Sequence, residues 1–144
     1  MKVNQIMTKD LTAVDEEISV RELIFILKNS ELSNMPIVDA EGKLAGFISD
    51  KDVIKAALPG YFEMLHSTSF IPDMNQLSNK LAKIADNPIK TYMHRDVICL
   101  KEDDDDLQAA DLIIRRNVRS LPVINSAGKL VGILRRIDLL RHLL

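Results

Sequence analysis

Residues 35–52 read MPIVDAEGKLAGFISDKD, and residues 121–138 read LPVINSAGKLVGILRRID. Laid over each other, the tracts share Pro36/Pro122, Gly42-Lys43-Leu44/Gly128-Lys129-Leu130, Gly46/Gly132 and Asp52/Asp138. Between these identities Ile37/Val123, Val38/Ile124 and Ile48/Leu134 stay apolar. The same offset of 86 residues brings Met7 onto Met93, Asp10 onto Asp96 and Val14 onto Leu100. The helix between the first strand and the proline needs a one-residue slip, pairing Val20 with Leu107. Self-similarity at a fixed spacing is the mark of a duplicated unit. Half of this chain makes an uncomfortably small domain, so the copies are expected to pack on each other.

Each copy reads as strand, helix, strand, strand, helix. Short strands are expected at Thr12-Ala13-Val14 and at Val97 to Leu100. The first helix opens on Ser19-Val20-Arg21-Glu22, which fits a capping box. Its counterpart follows the acidic run Glu102 to Asp106. Carboxylates there serve the free N–H groups and the positive end of a helix; an interaction tail or a cation site is the other reading. Leu23, Ile26 and Leu27, and Ala110, Ile113 and Ile114, form the apolar stripes. A hairpin follows in each copy, turning at Asp39-Ala40-Glu41-Gly42 and at Asn125-Ser126-Ala127-Gly128, where Asp or Asn opens the turn and Gly supplies a positive φ. Proline at the head of the strand needs no ladder bond. Closing helices start near Asp50 and Arg136. The expected boundaries are 1–58 for the first repeat, 59–88 for a helical connector and 89–144 for the second repeat. Within the connector, Pro59 and Pro72 break the chain, and 74–85 carries Met74, Leu77, Leu81 and Ile84 on one side of a helix.

Composition narrows the function. The 144 residues are 47% hydrophobic and 28% charged, with a net charge of −2. Such near balance offers nucleic acid no electrostatic footprint, and with no Trp there is little for base stacking. The single cysteine, Cys99, excludes an internal disulfide framework and a multi-cysteine metal site, and reads as a small apolar strand residue. No run approaches the ~18 apolar residues of a membrane span, and the N-terminus lacks a signal-peptide core; a cytoplasmic location is expected. His66, His94 and His142 have no Cys or His partner at metal-ligand spacing and read as ordinary side chains. No nucleophile stands beside a base, and no Walker-type loop or paired carboxylates appear, so no catalytic residue and no catalytic cofactor is expected.

The pattern resembles the cystathionine-β-synthase-type (CBS) domain pair, or Bateman module. The resemblance rests on Ile6-Met7-Thr8 and Tyr92-Met93-His94, on Met35 to Asp39 and Leu121 to Asn125, and on Gly46 to Asp52 and Gly132 to Asp138. It covers nearly the whole chain, although the connector is longer than the family requires. It implies two α/β repeats packed sheet to sheet with pseudo-twofold symmetry. It further implies clefts that hold AMP, ADP, ATP, S-adenosylmethionine or sometimes a dinucleotide, a homodimer, and an effector protein that reads the bound state.

Gly46-x-x-Ser49-x-x-Asp52 matches the family's ribose–phosphate motif. Ser49 can bond a phosphate at a helix start. Asp52, one turn on, can accept from a ribose diol. Without the resemblance, the same residues also describe a solvated helix start capped by Ser49. Copy two keeps Asp138 but has Arg135 in place of Ser or Thr: either that site is lost, or Arg135 contacts phosphate. Arg119 stands where some members place a phosphate-binding arginine, and its counterpart is Ser33. A solvated basic face balanced by Asp103 to Asp106 accounts for it as well. Adenine contacts are expected from Thr12-Ala13, Ile98-Cys99, Met35 before Pro36, and Leu121 before Pro122, all positions that core packing also explains. The segment around His66, between Tyr61 and Pro72, is a candidate cleft cover or subunit contact. The alternative function is a ligand-free dimerisation or docking module.

Overall fold

The computed structural model describes residues 1–30, 34–58 and 76–144. Copy one contains β1 (Val14–Asp15), α2 (Val20–Ser30), β2 (Asn34–Val38), β3 (Leu44–Ser49) and α3 (Asp50–Ala57), preceded by the short helix α1 (Val3–Ile6). Copy two contains β4 (Leu100–Lys101), α5 (Asp106–Arg116), β5 (Ser120–Ile124), β6 (Leu130–Arg135) and α6 (Arg136–Leu143). Between them lie α4 (Gln76–Ile84) and a 3-10 turn at Ile89–Thr91. The segment Tyr61 to Pro72, with His66, and also Ser33, Pro59 and Met74 lie outside the described residues.

Two three-stranded sheets form, ordered β1-β2-β3 and β4-β5-β6. In each, the first strand runs parallel to the second and the hairpin is antiparallel. The registers repeat: Val14 opposes Ile37 as Leu100 opposes Val123, and Pro36 opposes Phe47 as Pro122 opposes Ile133. The outer strands are shorter than expected, because Thr12, Ala13 and Val97 to Cys99 precede the ladder. The prolines stand third in their strands rather than first. They are tolerated because β1 and β4 begin pairing one residue later, leaving the prolines paired on one side only.

Local chemistry sets the ends of these elements. The Ser19 hydroxyl accepts the Glu22 N–H at 3.1 Å, and Asp105 caps α5 in a capping box with Gln108, so part of the acidic run serves its own helix. Asp39 Oδ1 accepts from the N–H groups of Glu41 and Lys43, and Asn125 Oδ1 from those of Ala127 and Lys129. Gly42 and Gly128 both take φ of +80°, a conformation costly for any residue with a Cβ. On α2 the buried stripe is Val20, Leu23 and Leu27. On α5 it is Ala109 and Ile113, while Ile114, expected inside, is 80% exposed.

The two cores do not follow the boundaries of the repeats. Val3 and Ile6 pack with Leu100, Leu121, Val123 and Leu134 of copy two. Ile89 and Met93 pack with Val14, Met35, Ile37 and Ile48 of copy one. Each repeat thus lends its entry segment to the other. Backbone bonds hold the exchange symmetrically: Ile89 N–H to Ile18 O at 2.8 Å matches Val3 N–H to Asp104 O at 2.8 Å. Lys90 N–H to Glu16 O matches Asn4 N–H to Glu102 O. The hairpin tips also meet, through Leu44 N–H to Gly128 O and Leu130 N–H to Gly42 O.

Candidate functional site

Behind the exchanged segments, each repeat brings one carboxylate to the seam. Entry segment 93–94 joins β3 through a reciprocal backbone pair, Phe47 N–H to His94 O at 3.0 Å and His94 N–H to Phe47 O at 2.9 Å. Thr8 and Ile133 do the same on β6, at 2.9 Å both ways. The glycines make these approaches possible. A Cβ on Gly46 would lie 2.7 Å from His94 O and 2.6 Å from Met93 Sδ. On Gly132 it would lie 2.7 Å from Thr8 O. At Gly46 the close approach is made by the backbone of the other repeat.

Ser49 caps α3 and Asp52 closes the capping box. Asp52 Oδ2 accepts the Ser49 N–H at 2.8 Å and the Ser49 hydroxyl at 2.9 Å, and Oδ1 meets His94 Nε2 at 2.7 Å. The Asp52 side chain is 12% exposed and His94 is 57% exposed. Burial opposes the ionised form of Asp52, but the bonds from His94 and Ser49 together outweigh it and hold the carboxyl below its usual range.

The counterpart is closed. Asp138 is fully buried. It accepts the Arg135 N–H at 3.0 Å, Arg135 Nε at 3.0 Å, an Arg135 terminal nitrogen at 2.8 Å, an Arg141 nitrogen at 2.9 Å and the Thr8 hydroxyl at 3.1 Å. Burial again opposes ionisation, and these donors reverse it, so the Asp138 carboxyl also lies below its usual range. Both oxygens of Asp138, the residue expected to meet a second ribose, accept hydrogen bonds from within the protein. Arg135 has taken the place of Ser49 as the side chain on the carboxylate, and its guanidinium is committed to that pair.

Two clefts open at the seam, sharing Asn34, Phe47, Ser120 and Pro122. The first, about 550 Å³, runs from His94, Arg95 and Asp96 past Ile98 to Arg119 and Leu121. Neither Arg95 nor Arg119 makes an ion pair among the described residues. The second, about 240 Å³, is lined by Thr8, Asp10, Thr12, Met35, Pro36 and Arg135 among others. The expected residues therefore divide. Arg119 lines the first cleft, and Ser49 and Asp52 adjoin it through His94. Thr12, Met35, Pro36 and Arg135 line the second. Met35 is fully buried in the first core, and both the N–H and hydroxyl of Thr12 bond Asp10. Ala13 is half-buried and outside both linings. Cys99 is half-buried, and burial pushes its thiol up.

Sequence reasoning passed over His94 and Arg95. The signal for His94 lay in the offset of 86: it falls on Thr8, and both positions bond the carboxylate of the opposite repeat. Among the described residues, no His, Cys, Asp and Glu group is arranged to hold a metal ion. No helix there is long and apolar enough to cross a membrane.

Paired α/β units with exchanged entry segments and ligand-sized clefts at the seam define a tandem-repeat architecture. The chain belongs to the CBS domain family: the family model matches residues 3–59 and 89–144, and the two matches make a tandem pair. It is 30% identical over 143 residues to an uncharacterized 17.7 kDa protein of Acidianus ambivalens, spanning 99% of this chain and 73% of that one. It is similar in fold to CBSX2 of Arabidopsis thaliana in complex with AMP (TM-score 0.70, 24% identity, 99% of this chain and 95% of that one). It is also similar to the CBS domain pair of protein MJ0100 in complex with 5′-methylthioadenosine and S-adenosylmethionine (TM-score 0.65, 25% identity, 99% of each chain).

Proposed function

We propose that the chain is a regulatory module that binds one adenosine-containing ligand (AMP, ADP, ATP or S-adenosylmethionine) in the cleft beside Asp52 and signals its occupancy to an effector protein. The observation that carries this reading is that cleft itself. It has room for a nucleoside, His94 in its wall bonded to the Asp52 carboxylate, and at its other end Arg119, which makes no ion pair among the described residues. Asp52 would accept from the ribose hydroxyls, Ser49 would orient Asp52, and Arg119 would take an anionic tail. Ile98 and Leu121 would pack against the base. The complexes of CBSX2 with AMP and of MJ0100 with adenosine compounds support the ligand class. The chain has no catalytic role in this reading, and its single free cysteine suits a reducing, cytoplasmic setting. The smaller cleft, with Thr12, Met35, Pro36 and Arg135, would stay empty because Asp138 is taken.

A homodimeric docking module is the second reading. It is favoured by apolar side chains left in water on two closing helices: Ile54 on α3, and Ile137, Leu140 and Leu143 on α6, each more than half exposed.

Thermal unfolding against AMP, ADP, ATP, S-adenosylmethionine, NAD and cyclic dinucleotides separates the two. A ligand at about 100 times its Kd adds roughly 2.7 kcal/mol, a rise of about 5–10 °C for a chain of this length. The rise is expected to vanish in Asp52→Ala and persist in Asp138→Ala. No rise with any compound leaves the docking module.

A further inference from the structure

The two carboxylates stand in equivalent frames but face different side chains from the opposite repeat. Asp138 receives the Thr8 hydroxyl, a neutral group, at 3.1 Å. Asp52 receives the imidazole of His94 at 2.7 Å. Asp52 Oδ2 is already taken twice by Ser49. Oδ1 is the oxygen left for an incoming hydroxyl, and His94 sits on it. A ribose diol cannot bond both oxygens of Asp52 while the imidazole remains.

We propose that His94 is a gate on Asp52, so that ligand binding competes with the imidazole and weakens as the imidazole gains its proton. The proposal rests on the reading of the Asp52 cleft as an adenosine site. The His94 backbone is pinned to Phe47 by two hydrogen bonds, so opening is a swing of the side chain alone. That side chain is 57% exposed, with the Phe47 ring 6.5 Å away between centroids. Protonation turns the contact into a charge-assisted pair, roughly twice as strong as a neutral bond. Among the described residues, His94 is bonded to Asp52 at the start of α3 and shares its cleft with Arg95 and Asp96 on its own segment and with Arg119. Asp50 and Lys51, also in the first turn of α3, are exposed. Once the imidazolium is displaced into the cleft it meets two arginines and one carboxylate, a setting that favours its return to Asp52.

The test is calorimetric titration of the full chain with adenosine and 5′-methylthioadenosine, whose own charges stay constant between about pH 5.5 and 8, where histidine changes charge. Wild type is expected to bind about tenfold more weakly at the acid end. His94→Ala, which leaves Asp52 Oδ1 without the imidazole, should bind about fivefold more tightly than wild type near neutrality, the equivalent of one typical net hydrogen bond, and vary less than about twofold with pH. His94→Gln keeps a neutral donor without the charge change, and should lose the pH dependence while keeping near-neutral affinity close to that of wild type. Weaker binding by both variants, or tighter binding by wild type at acid pH, makes His94 a ligand contact and overturns the gate. Equal affinity and equal pH profiles for wild type and His94→Ala also overturn it, while the adenosine site stands. No binding by any folded variant at any pH, with AMP included, removes the site and the gate together.

Discussion

Gly46→Ala places one methyl group where the exchanged segment crosses β3. The new Cβ would sit 2.7 Å from a backbone oxygen, His94 O, and 2.6 Å from Met93 Sδ. The thioether can swing away, but the carbonyl is held by its bond from Phe47 N–H. If the strain stays, overpacking costs about 1–3 kcal/mol. If the segment backs off, two backbone hydrogen bonds are lost at about 1 kcal/mol each. Both routes centre on about 2 kcal/mol and, at about 3 °C per kcal/mol for this length, on a fall in Tm of about 6 °C. The assay is thermal unfolding with amide hydrogen exchange, which should show the Phe47 and His94 amides losing protection. Gly42→Ala is the control. Its Cβ meets nothing within 4 Å, so it costs about 1–2 kcal/mol of backbone strain and leaves those two amides protected. A Tm within about 2 °C of wild type in Gly46→Ala, with both amides still protected, would refute the crossing.

Two further outcomes follow from the unequal carboxylates. Asp138→Ala strips several donors of their acceptor, but the two guanidinium groups it frees are already half exposed and return to water; the loss is about 2–3 kcal/mol. Asp52→Ala loses mainly a helix cap, about 1 kcal/mol, and equal losses by urea unfolding would contradict the assignment. Asp138 also sets an acid limit. Its folded carboxyl lies below the ordinary value of 3.8, so the stability it adds is complete above that value and drains away as pH falls through the lower, folded one. The Tm gap between wild type and Asp138→Asn should hold from about pH 7 to 5 and close below about pH 4; a gap undiminished at about pH 3 would count against it.

The duplication was legible because it lives in residue identity: Gly42 and Gly128 need the same positive φ, and Pro36 and Pro122 share the same one-sided pairing. The order of elements followed from periodicity. Strand ends did not, since the length of β1 depends on where β2 offers a partner, and Thr12 and Ala13 fall short of it. Nor did the exchange, because nothing near Val3 or Ile89 in the chain announces which core will take them. For the site, Ser49 and Asp52 were readable as neighbours one helical turn apart. His94 lies 42 residues from Asp52 and becomes visible only when the second copy is folded over the first. The closure of Asp138 was half legible: Arg135 marked the position as different, but its commitment to the carboxylate depends on Thr8 and Arg141 arriving from either side.

The crossed entry segments bear on what a half of this chain can be. A fragment ending in the connector keeps β1 to α3 but lacks Ile89 and Met93, and carries a Val3–Ile6 helix with no core to enter. The complementary fragment has the opposite deficit. Each is an open socket with a spare plug, so separately expressed halves should find each other and restore both cores. A single copy with the same arrangement would be whole only as two chains, each supplying the other's missing piece; joining the copies turns an encounter between molecules into a fold within one.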